Sequence, residues 1–579
     1  MSELEQHLGL PGPSALEELL TTCEDPIEAI QTFQTQNSIQ IPSLQPAMKL
    51  LDLHNLRRSE FHESVLTDVQ QRLLTRIREA GESKNKQKLE LVEKLLERSF
   101  PLFRVPQLRP IVLETLNQLP KVPDRYLQII VTVKDLYKEC SMHVRQQIWV
   151  KNNELFLEAV EPLVSQYVKE KQKVLRNPDS GAVAVYFDSE TTKTRRQWSQ
   201  IKGLVESVGE HAVLYDHLVQ LIRQRFFETK CVHYCSLRFE LLMALHDADV
   251  RKLTDLDPCH DFAWCLDPCL RDKNLHYQHG SELKNFLDTT RSGPNEKIWC
   301  DIGMIAADPH LMDFIASLTV KFLRDSTSQC CLPRDQSPLY LLLRLLNLGA
   351  NAWPILRQSK HKEPSLDGIM VTKFLPQLMS LIAEDLSRWE LLKAPTESTE
   401  ELNRLVSESD YKSNPSESLV RFVKSEPLCC WVLFYYIIDL CRHKKRSADR
   451  VAVTRLMPLL PLCVDKLALT ETWLHLFLSR LIANCHVTES LLSCDQFANH
   501  FLDLFLVKEL PDCPFLAYHL LRLASHCHQT LDENKRREIM DLLEPTTVLP
   551  EDAEYAAAYA KAQQKLFELT NRRLSESEG

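Results

Sequence analysis

The segment 232–272 holds the densest group of Cys, His and Asp residues in the chain, and three of its thiols could bind zinc. Zinc prefers deprotonated thiolates and imidazoles in a tetrahedral arrangement, which makes Cys259, Cys265 and Cys269 the candidate ligands. The spacing argues against such a site. Pro268 lies between the last two thiols and is expected to end the helix that would place them on one face.

The same segment can be explained by structure alone. Asp257 is expected to cap a helix that begins at Pro258, with Phe262, Cys265 and Leu266 packed inward. The acidic residues could imitate a divalent-cation site. They lie just after one helix or just before the next, however, where they suit turns and the positive end of the helix dipole. These acids are Asp247, Asp249, Asp255, Asp257 and Asp261.

Clusters of basic residues stand out on a chain whose formal net charge is −10. Such clusters can hold RNA phosphates electrostatically, without reading the base sequence. The alternative is a solvated turn or helix end, where cations suit the negative end of the helix dipole. Aromatic residues are not interleaved with them as a base-stacking platform requires. The candidate RNA contacts are Lys193, Arg195, Arg196, Arg442, Lys444, Lys445 and Arg446, and a further basic run covers residues 169–176.

No motif for hydrolytic or nucleotide-dependent catalysis occurs in the sequence. The patterns G-x-S-x-G, H-E-x-x-H, G-x-G-x-x-G and G-x-x-x-x-G-K-[ST] are all absent. The chain has 12 glycines in 579 residues, far below the usual share of about 7%. Since hairpins and phosphate-binding loops use glycine, the composition favours a helical protein without catalytic residues.

The elements that carry these residues are predicted to be helices joined by proline-marked turns. Asp25-Pro26 and Asp308-Pro309 each have the form of a helix start, with Asp as the cap and Pro in the first turn. Apolar residues from Leu311 to Phe322 then recur at helical spacing. Helix pairs span roughly 35–50 residues without a fixed repeat motif. The predicted fold is all-α, an irregular HEAT-like solenoid of helical repeats.

Composition divides the chain into five predicted regions. Residues 1–190 form an N-terminal helical region, and residues 191–386 form a central one. Residues 387–418 are rich in Ser, Thr, Glu, Asn and Lys, which predicts a polar and at least partly disordered insertion. A C-terminal helical region covers 419–545, and a last helix covers 550–574.

The sequence predicts a protein of a reducing compartment. The first residues lack the basic and apolar runs of a signal peptide. The longest apolar run, residues 428–438, has 11 residues, fewer than the ~20 that a membrane span needs. The 18 cysteines are no disulfide framework, because many lie in apolar helical runs. Cytosol and nucleus are both compatible with this usage.

Several long stretches resemble one family, in the family's own order. The chain is similar to the negative elongation factor B family, also called cofactor of BRCA-one. The matching stretches are IPSLQPAMKLLDLH with EFHESV (41–65), VRQQIW with NELF (144–156), TKTRRQ (192–197), HYCSLRFELLMALHDADV (233–250), DPCHDFAWCLDPCLRD (257–272) and LPRDQSPLYLLLRLLNLGANAW (332–353).

The resemblance implies a nuclear, non-enzymatic scaffold with no cofactor and no membrane contact. Such a scaffold would bridge the other negative elongation factor subunits, which are the A–C/D pair and the E subunit. The complex would promote promoter-proximal pausing of RNA polymerase II together with the Spt4/Spt5-type elongation factor, and so repress transcription elongation. Two alternatives stay open. One is a cytosolic helical-repeat adaptor in transport or trafficking, and the other is a zinc-dependent enzyme or zinc-stabilised domain built on Cys259–Cys269.

Overall fold

The fold is all-α throughout the part of the chain that the structure, a computed structural model, describes. Every regular element there is a helix, so the predicted all-α class and its irregular helical-repeat packing are confirmed. None of the described helices combines the length and apolar character that a membrane crossing requires. The described residues are 13–36, 58–82, 86–176, 191–328, 337–366, 427–442 and 559–568, with a few isolated positions between 456 and 557.

The chain divides into two compact units, residues 1–153 and residues 154–579. In the first unit, α5 packs against α3, α4 and α8 and buries Ile111, Val112 and Leu116. Its helices are α1 (Pro13–Thr22), α2 (Pro26–Gln36), α3 (Arg58–Glu82), α4 (Lys86–Ser99), a 3-10 turn (Phe100–Arg104), α5 (Arg109–Asn117), α6 (Asp124–Thr132), α7 (Lys134–Glu139) and α8 (Met142–Trp149).

The second unit contains most of the described helices. They are α9 (Asn153–Arg176), α10 (Thr192–Arg196), α11 (Ser199–Val208), α12 (Ala212–Thr229), α13 (His233–Asp247), α14 (Arg251–Thr254), α15 (His260–Asp272), α16 (Tyr277–Ser292), α17 (Ile298–Ala306), α18 (Pro309–Ser328), α19 (Ser337–Ala350), α20 (Ala352–Arg357) and α21 (Pro427–Arg442). Residues 559–568 are also helical.

Helix α13 lies at the centre of this unit. It packs against α10, α11, α12, α14, α15 and α17, and almost all of its residues are buried. A helix surrounded on all sides must be apolar on all sides, and the run FELLMAL largely meets that demand. In a simple solenoid each repeat contacts only its neighbours along the chain. The contact between α13 and α17 is one place where this array becomes irregular.

Helix α15 corrects the prediction for Pro268. The helix does not end there but continues through the proline to Asp272. A proline inside a helix removes one backbone hydrogen bond and costs about 3 kcal/mol. Buried neighbours offset that cost, because Leu266 and Cys269 pack inside and Asp267 is paired with Arg196. The start of α15 was also predicted two residues too early, at Pro258 instead of His260.

Other predicted starts are confirmed. The backbone N–H of Glu28 donates to Asp25 Oδ1 over 3.2 Å, and that of Leu311 donates to Asp308 Oδ2 over 3.1 Å. The predicted boundary at residue 190 and the insertion at 387–418 lie outside the described residues, and the five-region division stays a prediction.

Candidate functional site

The most distinctive chemistry of the second unit is a set of ionised side chains enclosed between helices. Arg195 and Arg196, two candidate RNA contacts, are only 1% and 5% exposed. Helix α10 carries them inward, and its first turn is capped by Thr191, whose hydroxyl accepts a hydrogen bond from the Thr194 N–H over 3.2 Å. This short helix packs directly on α13 and α15.

Arg195 and Arg196 bind carboxylates from three parts of the fold. Arg195 reaches Glu240 Oε1 at 2.9 Å and Asp308 Oδ2 at 3.4 Å. Arg196 reaches Glu240 Oε2 at 3.3 Å and Asp247 Oδ2 at 3.1 Å, and it also pairs with Asp267. We call this group the central charge cluster.

Burial and charge oppose each other within the central charge cluster. Burial raises the pKa of Glu240 above its ordinary range, although the charges of Arg195 and Arg196 act to lower it. The Ser236 hydroxyl donates to Asp308 Oδ1 over 2.6 Å, which joins α13 to the start of α18. The cluster therefore ties α10, α13, α15 and α18 together through charge-assisted bonds.

A second network lies on another face of α13. Arg238 pairs with Asp257 Oδ2 at 2.6 Å and with Asp301 Oδ1 at 3.5 Å. The Tyr215 hydroxyl also donates to Asp257, and Arg223 binds Asp301 at 2.9 Å. Burial alone would raise the Asp257 pKa, but the Arg238 charge and these hydrogen bonds lower it overall. A cavity of 470 Å³ borders this network.

A third network joins α16 and α19 to residues 358–366. Arg344 is buried, binds Asp288 at 2.6 Å and pairs with Glu363. Arg291 reaches the same Glu363 at 2.7 Å. Three networks centred on buried arginines thus join segments that are distant in the sequence.

Three buried thiols among the described residues of the second unit are poorly suited to nucleophilic chemistry. Burial raises the pKa of Cys235 and of Cys259 well above the ordinary value, and it raises that of Cys300 to about 11. The thiolate is the reactive form of cysteine. These buried side chains stay protonated at neutral pH and act as small apolar groups.

The structure does not bring the three predicted zinc ligands together. Cys265 and Cys269 do share one face of α15, because the helix continues through Pro268. Among the described residues, however, the one group of three side chains with metal-binding geometry contains Cys265 without Cys259 or Cys269. Phe262, Cys265 and Leu266 are packed inward as predicted.

The aspartates of segment 232–272 also separate. Asp247 pairs with Arg196, Asp249 with Arg251 and Asp257 with Arg238. Asp257 Oδ1 accepts a hydrogen bond of 2.9 Å from the Cys259 N–H in the turn that leads into α15, but the helix itself begins at His260 and not at Pro258 as predicted. Each of these three aspartates thus binds a different arginine, and this pairing accounts for their negative charges better than a shared cation does.

The basic residues divide by burial. Arg195 and Arg196 were predicted either to contact RNA or to lie in a solvated turn. Both predictions place the guanidinium groups at the surface, whereas the structure buries them in the core. Lys171, from the basic run 169–176, is also buried, with its Nζ 4.0 Å from the Trp198 ring centre. Lys193 is exposed, and Arg442 ends α21.

RNA contact stays a prediction for the remaining basic residues. Lys193 and Arg442 are two of them, while Lys444, Lys445 and Arg446 lie outside the described residues. Sequence reasoning missed Glu240 and Asp308 as partners of the arginines. One signal existed, because Arg238 and Glu240 interrupt an apolar helix, and fully buried charges are almost always paired.

Comparison with known proteins identifies close similarity over most of the chain. A family described as Cofactor of BRCA1 (COBRA1) matches residues 106–461. Negative elongation factor B of Mus musculus is 36% identical over 571 residues, which cover 98% of this chain and 95% of that protein. The Homo sapiens protein of the same name shows the same identity and coverage. Its Drosophila melanogaster counterpart is 35% identical over 569 residues, 98% of this chain and 92% of that protein.

Proposed function

The chain belongs to the Cofactor of BRCA1 family, and on that premise we propose that it is a non-enzymatic component of a negative elongation factor in the nucleus. The observation that carries the proposal is 36% identity to a negative elongation factor B over 98% of the chain. A match of this length covers both compact units and includes α13 with its buried charges. It therefore applies to the framework of the protein and not to one short motif.

We propose further that the protein acts as a scaffold. It would bridge the A, C/D and E subunits, and the assembled factor would promote promoter-proximal pausing of RNA polymerase II with the Spt4/Spt5-type elongation factor. The buried arginine networks support this role, because a bridge must keep its binding surfaces in a fixed relation. Exposed apolar side chains such as Leu256 and Tyr277 are candidate contact points.

The test is purification of the tagged full-length chain from nuclei, followed by identification of the proteins that accompany it. The A, C/D and E subunits are expected in stoichiometric amounts, with RNA polymerase II retained at low salt. Depletion of the chain should lower polymerase density just downstream of promoters. A chain that elutes alone from nuclei would contradict the proposal. Steady cytoplasmic localisation with transport proteins would favour the trafficking adaptor instead.

Bridging needs a separate experiment. The E subunit should co-purify with the A–C/D pair when this chain is present and should be lost when it is omitted. Leu256→Asp and Tyr277→Ala should weaken capture of at least one of these proteins, whereas Asp255→Asn, at an exposed neighbouring position, should not. Capture of the E subunit by the A–C/D pair in the absence of this chain would disprove the bridge and leave complex membership intact.

A further inference from the structure

A thiol, an imidazole and a carboxylate meet where α15 packs against α16. Cys265 Sγ donates to Glu282 Oε2 over 3.2 Å, and His279 Nδ1 lies 3.3 Å from the same oxygen. One ligand atom from each residue can be chosen so that all three lie within 4.8 Å of one another. This group shares helix α15 with Asp267 of the central charge cluster, but it uses none of the side chains of the three arginine networks.

The two helices hold these groups firmly. His279 and Glu282 are three residues apart and so share one face of α16. Gln278 Nε2 donates to Glu282 Oε1 over 3.1 Å and orients the carboxylate. Phe262 of α15 stacks on Phe286 of α16 with ring centres 5.5 Å apart, which fixes the spacing of the helices beside the cluster.

We propose that Cys265, His279 and Glu282 bind a zinc ion, with water as the fourth ligand. Zinc lies about 2.0–2.3 Å from sulfur, nitrogen and oxygen ligands, so the ligand atoms of a tetrahedral site are about 3.3–3.7 Å apart. The separations of Cys265 Sγ and His279 Nδ1 from Glu282 Oε2, 3.2 and 3.3 Å, are close to that range. Sulfur and nitrogen donors favour zinc over magnesium or calcium, which prefer oxygen ligands.

Ion entry and charge also fit the proposal. Cys265 is buried, but the His279 and Glu282 side chains are 25% and 47% exposed, so an ion can reach the site from solvent. On binding, Cys265 releases its thiol proton to solvent and forms the S–Zn bond. The thiolate and the carboxylate then balance the charge of the ion. No electron is transferred, and the bound ion links α15 to α16.

Cobalt(II) is the probe, because it occupies zinc sites and gives an absorption band when sulfur is a ligand. The full-length chain, freed of metal with a chelator and kept reduced, should bind one equivalent that zinc displaces. Cys265→Ser should abolish the sulfur–cobalt band. His279→Ala and Glu282→Gln should each weaken binding about tenfold or more.

The matched control is Cys269→Ser, one helical turn from Cys265. It should leave the band and the affinity unchanged. His279 and Glu282 are partly exposed, so their variants should keep the wild-type melting temperature. The proposal fails if the folded wild-type chain binds no cobalt, if Cys269→Ser removes the band, or if a folded His279→Ala/Glu282→Gln variant binds as tightly as wild type.

Discussion

Ion pairs occur in both compact units, but their environments differ. In residues 1–153, none of the described pairs is buried at both ends, and Arg125 and Glu97 are each 62% exposed at a separation of 3.3 Å. In residues 154–579, Arg195 and Glu240 are 2% and 0% exposed at 2.9 Å. An exposed pair is screened by water and salt. A buried pair cannot lose one partner without leaving an uncompensated charge. The buried pairs of residues 154–579 are therefore structural, whereas the exposed pairs of either unit, such as Arg251–Asp249, are peripheral.

This difference follows from the helices that carry the charges. In the first unit each described pair keeps at least one side chain that is more than a third exposed. In the second unit Arg238 and Glu240 belong to α13, which other helices enclose. Charges in such a helix must find partners inside, and the partners come from distant segments. A buried network of this kind specifies which helices are neighbours, which suits a protein proposed to act as a scaffold.

The largest effect is expected from Arg196→Met. The substitution leaves the buried Asp267 without this partner and Glu240 with only Arg195, a loss of about 3–5 kcal/mol in local stability. Hydrogen exchange of α13 and α15 peptides should show it, because exchange reports local opening. Lys193→Met is the matched control, being exposed on the same short helix. Equal protection in the two variants would show that the central charge cluster is not structural.

A smaller, pH-dependent effect is expected from Asp257→Asn, because Arg238 keeps Asp301 as a partner. The folded-state pKa of Asp257 is lowered, so its carboxylate stabilises the fold above the unfolded pKa of about 3.9. That contribution disappears as the pH falls through the folded-state value. The variant should melt below wild type at pH 7, and the gap should close below about pH 4. A constant gap at all pH values would assign the effect to packing alone.

Next in size is the close packing of α19. A methyl group on Gly349 would overlap Met312 Sδ and the Ala306 carbonyl oxygen, so Gly349→Ala should destabilise the second unit by about 1–3 kcal/mol. Gly280→Ala is the control. Its added methyl would make ordinary contact with Leu275 at 3.6 Å, and alanine favours a helix by about 1 kcal/mol over glycine. Thermal unfolding should therefore shift in opposite directions for the two variants.

Local rules allowed part of this structure to be predicted from the sequence. The Asp-Pro helix starts at Pro26 and Pro309 depend only on adjacent residues, and both are present. The apolar surroundings of α13 follow from its own composition. The family resemblance on the stretches around α13 was likewise visible in the sequence and agrees with the similarity found over the whole chain.

Pairing across the fold could not be predicted in this way. Arg195 and Asp308 are 113 residues apart. Nothing in the local sequence distinguishes Asp308 from the other carboxylates as a partner of that arginine. The local cluster of basic residues suggested a surface position for Arg195 and Arg196. Charge density along the sequence does not show whether a side chain is buried. Cys265 was singled out together with Cys259 and Cys269, but its thiol donates to Glu282 of the next helix. Only the packing of α15 on α16 brings Glu282 and His279 near it.

The smallest effect is expected in the first unit. Lys151 of the pair Lys151–Asp124 is half-exposed, as is its partner, and the Lys151 hydrogen bond and charge lower the pKa of Asp124. Lys151→Met should leave the protection of α6 and α8 peptides unchanged, because water replaces the lost partner at no measurable cost. Raising the salt concentration should likewise leave these peptides unaffected. A loss of protection comparable to that of Arg196→Met would contradict this comparison. It would mean that the exposed ion pairs of the first unit stabilise their helices as strongly as the buried pairs of the second unit do.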